Sequence, residues 1–584
     1  METTNHHREV GDLLLAQGKL TEKQLEAVRR RQRRLRVPQH TAILHLNHAS
    51  EADTYRALAE LHRLDFVELT AAEFPSANLE LVPLKIILNH RVLPLAQAAD
   101  TLTLAFSEPP KQSTLANLRL LLGKKLQVAL TTPSCVRAVL QQRFGLGADT
   151  VHRLREERGL GEASQDVVFD LAAGPPSAES EANVAKDASI AQYVDEILSE
   201  ALRLHATDIH IEPYQSGIKL RYRIDGMMHA VPMPEGLRQL YPAVVSRLKI
   251  MASLNIAEKR LPQDGRISMK TEREEYDLRV SIIPTKHGEG VCLRILGRQS
   301  LFLEFSHLGM EADQEALIAE LTELPQGLVL LTGPTGSGKT TTLYAALARA
   351  NDEERKIITI EDPVEYQLEG IVQIQTREEV GLTFASGLRS VLRHDPDVVL
   401  IGEIRDGETA EIAVRAAQTG HLVFSTLHTN DSISALTRLL DMGIDPFLLG
   451  ASLVCSIAQR LAQRLCPHCL EPDLALPDDL RQEAAAALRL PPNEVRAFRG
   501  RGCTECQQQG YRGRVAIYEF FVMTEDIADL LGPDIKTGQL RALARQHGWR
   551  PLRERGWTKV QAGLVPVAEM QRLTRRIKQS APTE

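Results

Sequence analysis

The sequence predicts an α/β protein built on a parallel sheet with a phosphate-binding loop, preceded by a smaller α+β domain. Three observations carry that reading. "GLVLLTG", "KIITIED", "DVVLIGEI" and "HLVFSTLH" are short, nearly continuous apolar runs separated by helix-length text, the pattern of strands buried on both faces by helices. The first of them runs into "GPTGSGKTTTLY", a glycine-rich loop followed by a helix-competent stretch. Upstream, "TDIHIEPY", "IKLRYRIDG" and "YDLRVSIIPT" alternate apolar with polar residues, as half-buried antiparallel strands do.

The 584 residues exceed what one core usually supports, so several domains are expected. Residues 1–150 mix short amphipathic helices with strand-like runs such as "LTLAF". Within them "VGDLLLAQGKLTEKQLEAVRRRQ" reads as helix, glycine break and a second helix capped at Thr21. Residues 151–187 form the expected linker, its polar Ala/Gly/Pro/Ser/Glu-rich text running from about Glu156 and lacking the apolar surface for a core. A helix patterned by Ile190, Tyr193, Val194, Ile197, Leu198, Ala201 and Leu202 opens the α+β domain of residues 188–298. The parallel-sheet core is placed at 299–460, a cysteine-bearing module at 461–515 and a helical segment at 516–584.

A net charge of -7 argues against a dedicated nucleic-acid binder. No apolar run approaches the roughly 18–20 residues of a membrane span, and the first residues lack an apolar signal core. The expectation is a cytoplasmic protein that meets a membrane only through partners.

The loop Gly333, Pro334, Thr335, Gly336, Ser337, Gly338, Lys339, Thr340 and Thr341 satisfies G-x-x-x-x-G-K-[ST]. Its backbone N–H groups and the following helix N-terminus suit phosphates. Lys339 is expected to reach the β- and γ-phosphates of a nucleotide and Thr340 to ligate Mg²⁺. Glu403 ends the strand of "PDVVLIGEIRD", where α/β ligands bind. It stands where Asp is usual and is expected to hold Mg²⁺ through water. "ITIEDPVEYQ" brings Glu361, Asp362 and Glu365 after another strand. Glu365 is the candidate to orient and deprotonate water, with Glu361 and Asp362 supporting it. His421 and His428 bracket a strand, and pattern alone leaves them open between structural and catalytic roles.

Cys466, Cys469, Cys503 and Cys506 form two C-x-x-C knuckles 33 residues apart. Two knuckles close a tetrahedral four-sulfur site, for which Zn²⁺ is favoured over an iron–sulfur cluster. With four protein ligands the role is structural.

Taken together, "GPTGSGKTTTLY", "ITIEDPVEYQLEGIVQIQ", "LRHDPDVVLIGEIRDGETAEIAVRAAQTGHLVFSTLHTND" and "TRLLDMGIDPFLLGASLVCSIAQRLAQRLCPHC" resemble the phosphate loop, aspartate box, Walker B strand and histidine box of the secretion and pilus assembly ATPases. "ATDIHIEP", "LRYRIDG", "RLPQDGRISM" and "DLRVSIIPTKHGEGVCLRIL" are similar to the domain that precedes that core. The resemblance is dense over residues 189–519. It implies a RecA-like core behind a PAS-like domain and a helical N-terminal domain, hydrolysing ATP between subunits of a homo-hexamer. It further implies that His421 and His428 sense the γ-phosphate and that Arg221, Arg223, Arg266 and Arg279 neutralise ATP across the subunit interface, Arg266 and Arg279 being the candidate fingers. The cysteine module also matches the family. The details resemble the type II secretion members more than the pilus extension members, and both remain open. A nucleic-acid translocase is the third alternative, of another class. The family implies inner-membrane platform and anchoring partners, with the protein held peripherally at that membrane. "VGDLLLAQGKLTEKQLEAVRRRQ" is similar to domains that bind cyclic di-GMP in some relatives, but Glu9 stands where an arginine is expected and the second copy lacks its glycine. The resemblance therefore implies the fold there and not the ligand.

Overall fold

A computed structural model describes residues 9–69, 73–157, 188–271, 275–297, 305–352, 354–506, 508–532 and 535–574. The chain divides into two compact units, residues 1–297 and 298–584.

In the first unit, amphipathic spacing produces helices Val10–Ala16, Glu22–Leu35, Gln39–His45 and Glu51–His62. The Thr21 side chain accepts from the Gln24 backbone N–H while the Gln24 side chain accepts from the Thr21 N–H, the reciprocal box the sequence predicts. Glu9 accepts from the amides of Gln32 and Gln39 at 3.2 and 2.6 Å. These helices cover a four-stranded sheet of β1 (Asp65–Phe66), β2 (Val92–Ala98), β3 (Thr101–Phe106) and β4 (Lys125–Leu130), in the order β1-β4-β3-β2.

The rest of this unit is a six-stranded antiparallel sheet of β5 (Asp208–Tyr214), β6 (Gly217–Ile224), β7 (Met227–Val231), β8 (Gln263–Lys270), β9 (Glu275–Thr285) and β10 (Gly288–Gly297), ordered β7-β6-β5-β10-β9-β8. One face packs on helices Ala188–Arg203 and Leu237–Met251. Alternation sorts the faces: Leu220, Tyr222, Leu278 and Val280 are buried, so Arg221, Arg223 and Arg279 lie on the other face. Ile190, Tyr193, Val194, Ile197, Leu198 and Ala201 are buried as the helical spacing predicts.

The boundary expected at residue 151 falls inside a helix. Ala148–Glu157 is helical, and Val151 and Leu154 are buried among Ile190, Tyr193 and the rest of that core. Three residues apart, these two side chains make an apolar stripe sufficient to hold a short helix on a neighbour. The polar text of residues 158–187 lies outside the described residues.

In the second unit the sheet has seven strands: β11 (Gly327–Thr332), β12 (Ile357–Glu361), β13 (Val372–Gln375), β14 (Val398–Ile401), β15 (Leu422–Leu427), β16 (Leu453–Leu465) and β19 (Tyr511–Val522). Their order is β13-β12-β14-β15-β11-β16-β19. All neighbours run parallel except β16 and β19. The four apolar runs that predicted a parallel sheet are β11, β12, β14 and β15, each wholly buried.

The boundaries expected at 460 and 515 cut through hydrogen-bonded strands. β16 runs to Leu465 and pairs with β19 from Cys455↔Val522 to Leu465↔Tyr511. The cysteine module is thus an insertion between two strands of the core sheet. It contains the antiparallel pair β17 (Leu470–Pro472) and β18 (Phe498–Gly500) and, between them, the helix Asp478–Leu488. The reason is in the burial of β16, where Gln459 and Arg460 are 2% and 8% exposed and break the apolar signature of a central strand. The helices Leu552–Gln561 and Val567–Thr574 pack onto this end of the sheet through Trp557 and Met570. Among the described residues, no helix is long and apolar enough to cross a membrane.

Candidate active site

Parallel strands bring their C-terminal ends to one edge. At that edge β11 delivers the glycine loop, β12 delivers Glu361 and Asp362, β14 delivers Gly402 and Glu403, and β15 delivers His428.

The loop joins β11 to the helix Lys339–Ala350. Gly333 has φ of +153°, and a Cβ there would lie 2.6 Å from the Gln459 carbonyl oxygen and 2.7 Å from Ser337 Oγ. Gly338, at the helix N-cap, has φ of +87°. Both positions exclude side chains, for crowding and for conformation. Ser337 is 4% exposed and its Oγ has no hydrogen-bond partner among the described residues. A buried hydroxyl of this kind is costly unless something else meets it, and a phosphate oxygen cradled by the loop fits that need. Lys339 Nζ donates to the Gly333 and Pro334 carbonyls at 2.8 and 3.2 Å. Burial lowers its pKa against the attraction of Glu403, and Arg460 adds to the lowering. Pro334, Thr335 and Gly336 are exposed at the loop's tip, while Thr340 and Thr341 lie half-buried in the first helical turn. Thr342 fastens that turn to the sheet, donating to Gln459 Oε1 at 2.9 Å and sharing a hydrogen with the Tyr518 hydroxyl at 3.1 Å.

The acids divide. Glu403 is half-buried and accepts from His428 Nε2 at 2.9 Å and from Arg405. Burial alone would raise its pKa, but the hydrogen bonds and charges of His428 and Arg405 leave it below the ordinary value. Glu361 differs from its expected supporting role. It is 4% exposed and accepts from the Tyr344 hydroxyl, from Thr359 Oγ1 at 2.6 Å and from Gln373 Nε2 at 3.1 Å. Its oxygens tie β12, β13 and the helix after the loop together. Asp362 is exposed and pairs with Arg405 at 3.3 Å. Glu365 is half-buried on the segment between β12 and β13, beside Tyr366, whose ring meets Tyr344 edge-on at 4.6 Å.

The histidines also divide. His428 follows β15 at the nucleotide edge. His421 precedes it, its Nδ1 set against the Ala416 carbonyl at 3.0 Å, and its own carbonyl accepts from the Gly327 N–H at the start of β11. Since Gly327 pairs with Leu422 and Thr332 with Leu427, the strand's length, about 17 Å at its usual rise, separates His421 from the loop. The expected γ-phosphate role of His421 is therefore not met within the chain.

In the first unit, Arg221 pairs with Glu212 and Arg223 with Asp208 at 3.5 Å. Exposed Arg266 on β8 stands directly opposite Arg279 on β9.

The sulfurs of Cys466, Cys469, Cys503 and Cys506 lie within 4.8 Å of one another. Cys466–Cys503, Cys469–Cys506 and Cys503–Cys506 are 3.8, 3.8 and 3.7 Å apart. Thiolates about 2.3 Å from a tetrahedral Zn²⁺ stand about 3.8 Å from each other, so the donor set fits that ion. Backbone N–H groups of Gly502, Cys503 and Gly510 donate to these sulfurs at 3.2–3.3 Å, as outer donors to metal thiolates do.

Two arginines escape sequence reasoning. Arg405 bonds Glu403 and Asp362 and lies 3.7 Å from Glu378, with its guanidinium 5.7 Å from the centre of the Phe384 ring. Its signal was its place two residues after Glu403 at the same strand end. Arg460 is buried beside the loop, and a charged residue inside an unrecognised strand gave no signal.

Residues 183–572, more than half of the chain, match the family described as Type II/IV secretion system protein. Residues 62–150 match the MshEN domain. The chain is 37% identical to the type IV pilus assembly ATPase PilB of Myxococcus xanthus, over 96% of this chain and 98% of the relative. It is 45% identical to the type II secretion system protein E of Pseudomonas aeruginosa, over 78% of this chain and 88% of the relative. To the protein E of Xanthomonas campestris it is 38% identical, over 90% and 91%. The chain belongs to the Type II/IV secretion system protein family and is an ATP-hydrolysing enzyme of that family.

Proposed function

We propose that this chain is a homo-hexameric motor whose ATP hydrolysis drives assembly of the fibre of a type II secretion machine. The carrying observation is the convergence of Lys339, Glu403 and His428 on the edge where the glycine loop ends. The 45% identity to a type II secretion protein E supports the cargo class. In this reading ATP lays its phosphates along residues 333–340, with Lys339 against the β- and γ-phosphates. The hydroxyl of Thr340 and the carboxylate of Glu403 are hard oxygen donors that suit Mg²⁺, which when bound neutralises phosphate charge. Glu365 orients water and takes its proton, with Asp362 nearby in sequence. His428, fixed by Glu403, faces the γ-phosphate.

Arg266 and Arg279 of the PAS-like domain neutralise ATP bound to a neighbouring subunit, with Arg221 and Arg223 on the same sheet. Guanidinium groups suit the charge that spreads over the γ-phosphoryl oxygens in the transition state. The cysteine module holds one Zn²⁺ structurally. The helical N-terminal domain docks onto an anchoring protein, so that the motor sits in the cytoplasm at the inner membrane without entering it. A pilus assembly motor is the second reading, favoured by the M. xanthus relative, which aligns along 96% of this chain.

Purified protein should hydrolyse ATP without responding to DNA, and its mass with nucleotide bound should be that of six chains. Strong stimulation by DNA would overturn the reading in favour of a nucleic-acid translocase.

A further inference from the structure

The segment between β15 and helix Ser432–Asp441 carries His428, and it is gripped from both sides. On the nucleotide side, Thr332 Oγ1 accepts from the Thr429 N–H at 2.9 Å and donates to the Thr429 carbonyl at 3.1 Å. On the other side two buried charged residues hold it, one on each strand that brackets the cysteine module. Arg460 of β16, 8% exposed, donates from Nη2 to the Asn430 carbonyl at 2.7 Å and from Nη1 to the Gln459 carbonyl at 3.0 Å. No carboxylate lies within ion-pair distance of it among the described residues. Glu519 of β19, 1% exposed, accepts from the Ser432 N–H at 2.9 Å and from the Ser432 hydroxyl. Its other oxygen accepts from the Leu552 N–H at 2.7 Å. Trp549 Nε1 donates to the same Ser432 hydroxyl at 3.2 Å, and Asp431 pairs with Arg541 at 3.1 Å.

Burying a carboxylate and a guanidinium without pairing them costs stability, and packed apolar residues would serve the core better. Here both charges are spent on backbone and hydroxyl groups of one short segment. The same two strands continue into the cysteine knuckles: Cys466 directly follows β16, and its N–H donates to the Gly510 carbonyl at the start of β19 at 2.9 Å. We propose that Arg460 and Glu519 are positioning residues for ATP hydrolysis, setting the His428 segment against Glu403 and linking it to the strand pair closed by the cysteine module. This rests on the assignment of Glu403 and His428 to the nucleotide site.

The test uses the full-length chain with Glu519→Gln and Arg460→Lys. The first keeps size but sets an amide N–H against a backbone N–H. The second keeps charge but loses the fork that reaches two carbonyls at once. Each should lower kcat per folded molecule about tenfold or more, since small misplacements at a reacting centre are expensive, while KM changes less than twofold. Glu519→Gln, which leaves a buried N–H unmatched, should also lower Tm, so turnover is read well below the melting temperature of every variant. A non-hydrolysable ATP analogue should change tryptophan emission in the parent chain but not in Trp549→Phe or Glu519→Gln. Parental kcat in a folded variant, a rise in KM alone, or a loss accounted for by the unfolded fraction would overturn the proposal. Lys339→Ala separates the two levels. If it keeps turnover, the site assignment itself fails; if it is inactive while Glu519→Gln matches the parent, only the positioning role fails.

Discussion

β12 and β14 are neighbours in the sheet, and each brings a glutamate to the nucleotide edge, Glu361 as the last residue of β12 and Glu403 two residues past β14, yet the two ends are built differently. Glu361 is 4% exposed and has its oxygens taken up by Tyr344, Thr359 and Gln373. Glu403 is half-buried, and its partners, His428 and Arg405, are themselves at the exposed edge. A carboxylate saturated by neutral donors inside the protein serves as a fastener. One held by groups that can themselves meet a substrate is available for chemistry. Position at a strand end does not decide the role; the partners do.

The largest effect should come from breaking the β14 end. Glu403→Gln is expected to lower turnover by about 10²–10⁴ and to lower Tm at neutral pH by what the Glu403 charge contributes. It should also erase a pH dependence. Because the folded pKa of Glu403 lies below its ordinary 4.5, its contribution to stability is complete above that value and is lost as pH falls through the lower folded value. Parent and variant should therefore converge in Tm on acidification, and a gap that widens would contradict the charge assignment.

The next contrast is between the two ends of β15. His428→Ala should reduce kcat by about 10²-fold, the low end of what a positioned group contributes, whereas His421→Ala should leave turnover within about twofold. Equal losses would mean that His421 reaches a site this chain does not form alone. The smallest effect on turnover should follow Glu361→Ala, which strands the Tyr344 hydroxyl. Stability should fall by about 1–3 kcal/mol in chemical denaturation, while turnover per folded molecule stays within twofold. A collapse of turnover without a stability change would move Glu361 into the chemistry.

How much of this was legible in the sequence depends on how local each signal is. The glycine loop, the strands β11, β12, β14 and β15 and the two cysteine knuckles are written in contiguous residues with fixed spacing, and the structure brings each set together. β16 was missed because Gln459 and Arg460 interrupt its apolar run for the sake of Thr342 and Asn430, residues distant in sequence. The helix Ala148–Glu157 was missed because its two apolar anchors, Val151 and Leu154, border polar text. The fates of Glu361 and His421 were set by partners on other elements, Tyr344 and Gln373 for the first and the Ala416 and Gly327 backbone for the second, and spacing alone cannot name those.

Every catalytic assignment above depends on ATP being hydrolysed at the edge where Lys339 begins the helix after β11. The most direct test is the steady-state ATP turnover of Lys339→Ala, measured on protein whose Tm matches the parent. Turnover should be indistinguishable from background; retained turnover in that folded variant would place hydrolysis elsewhere.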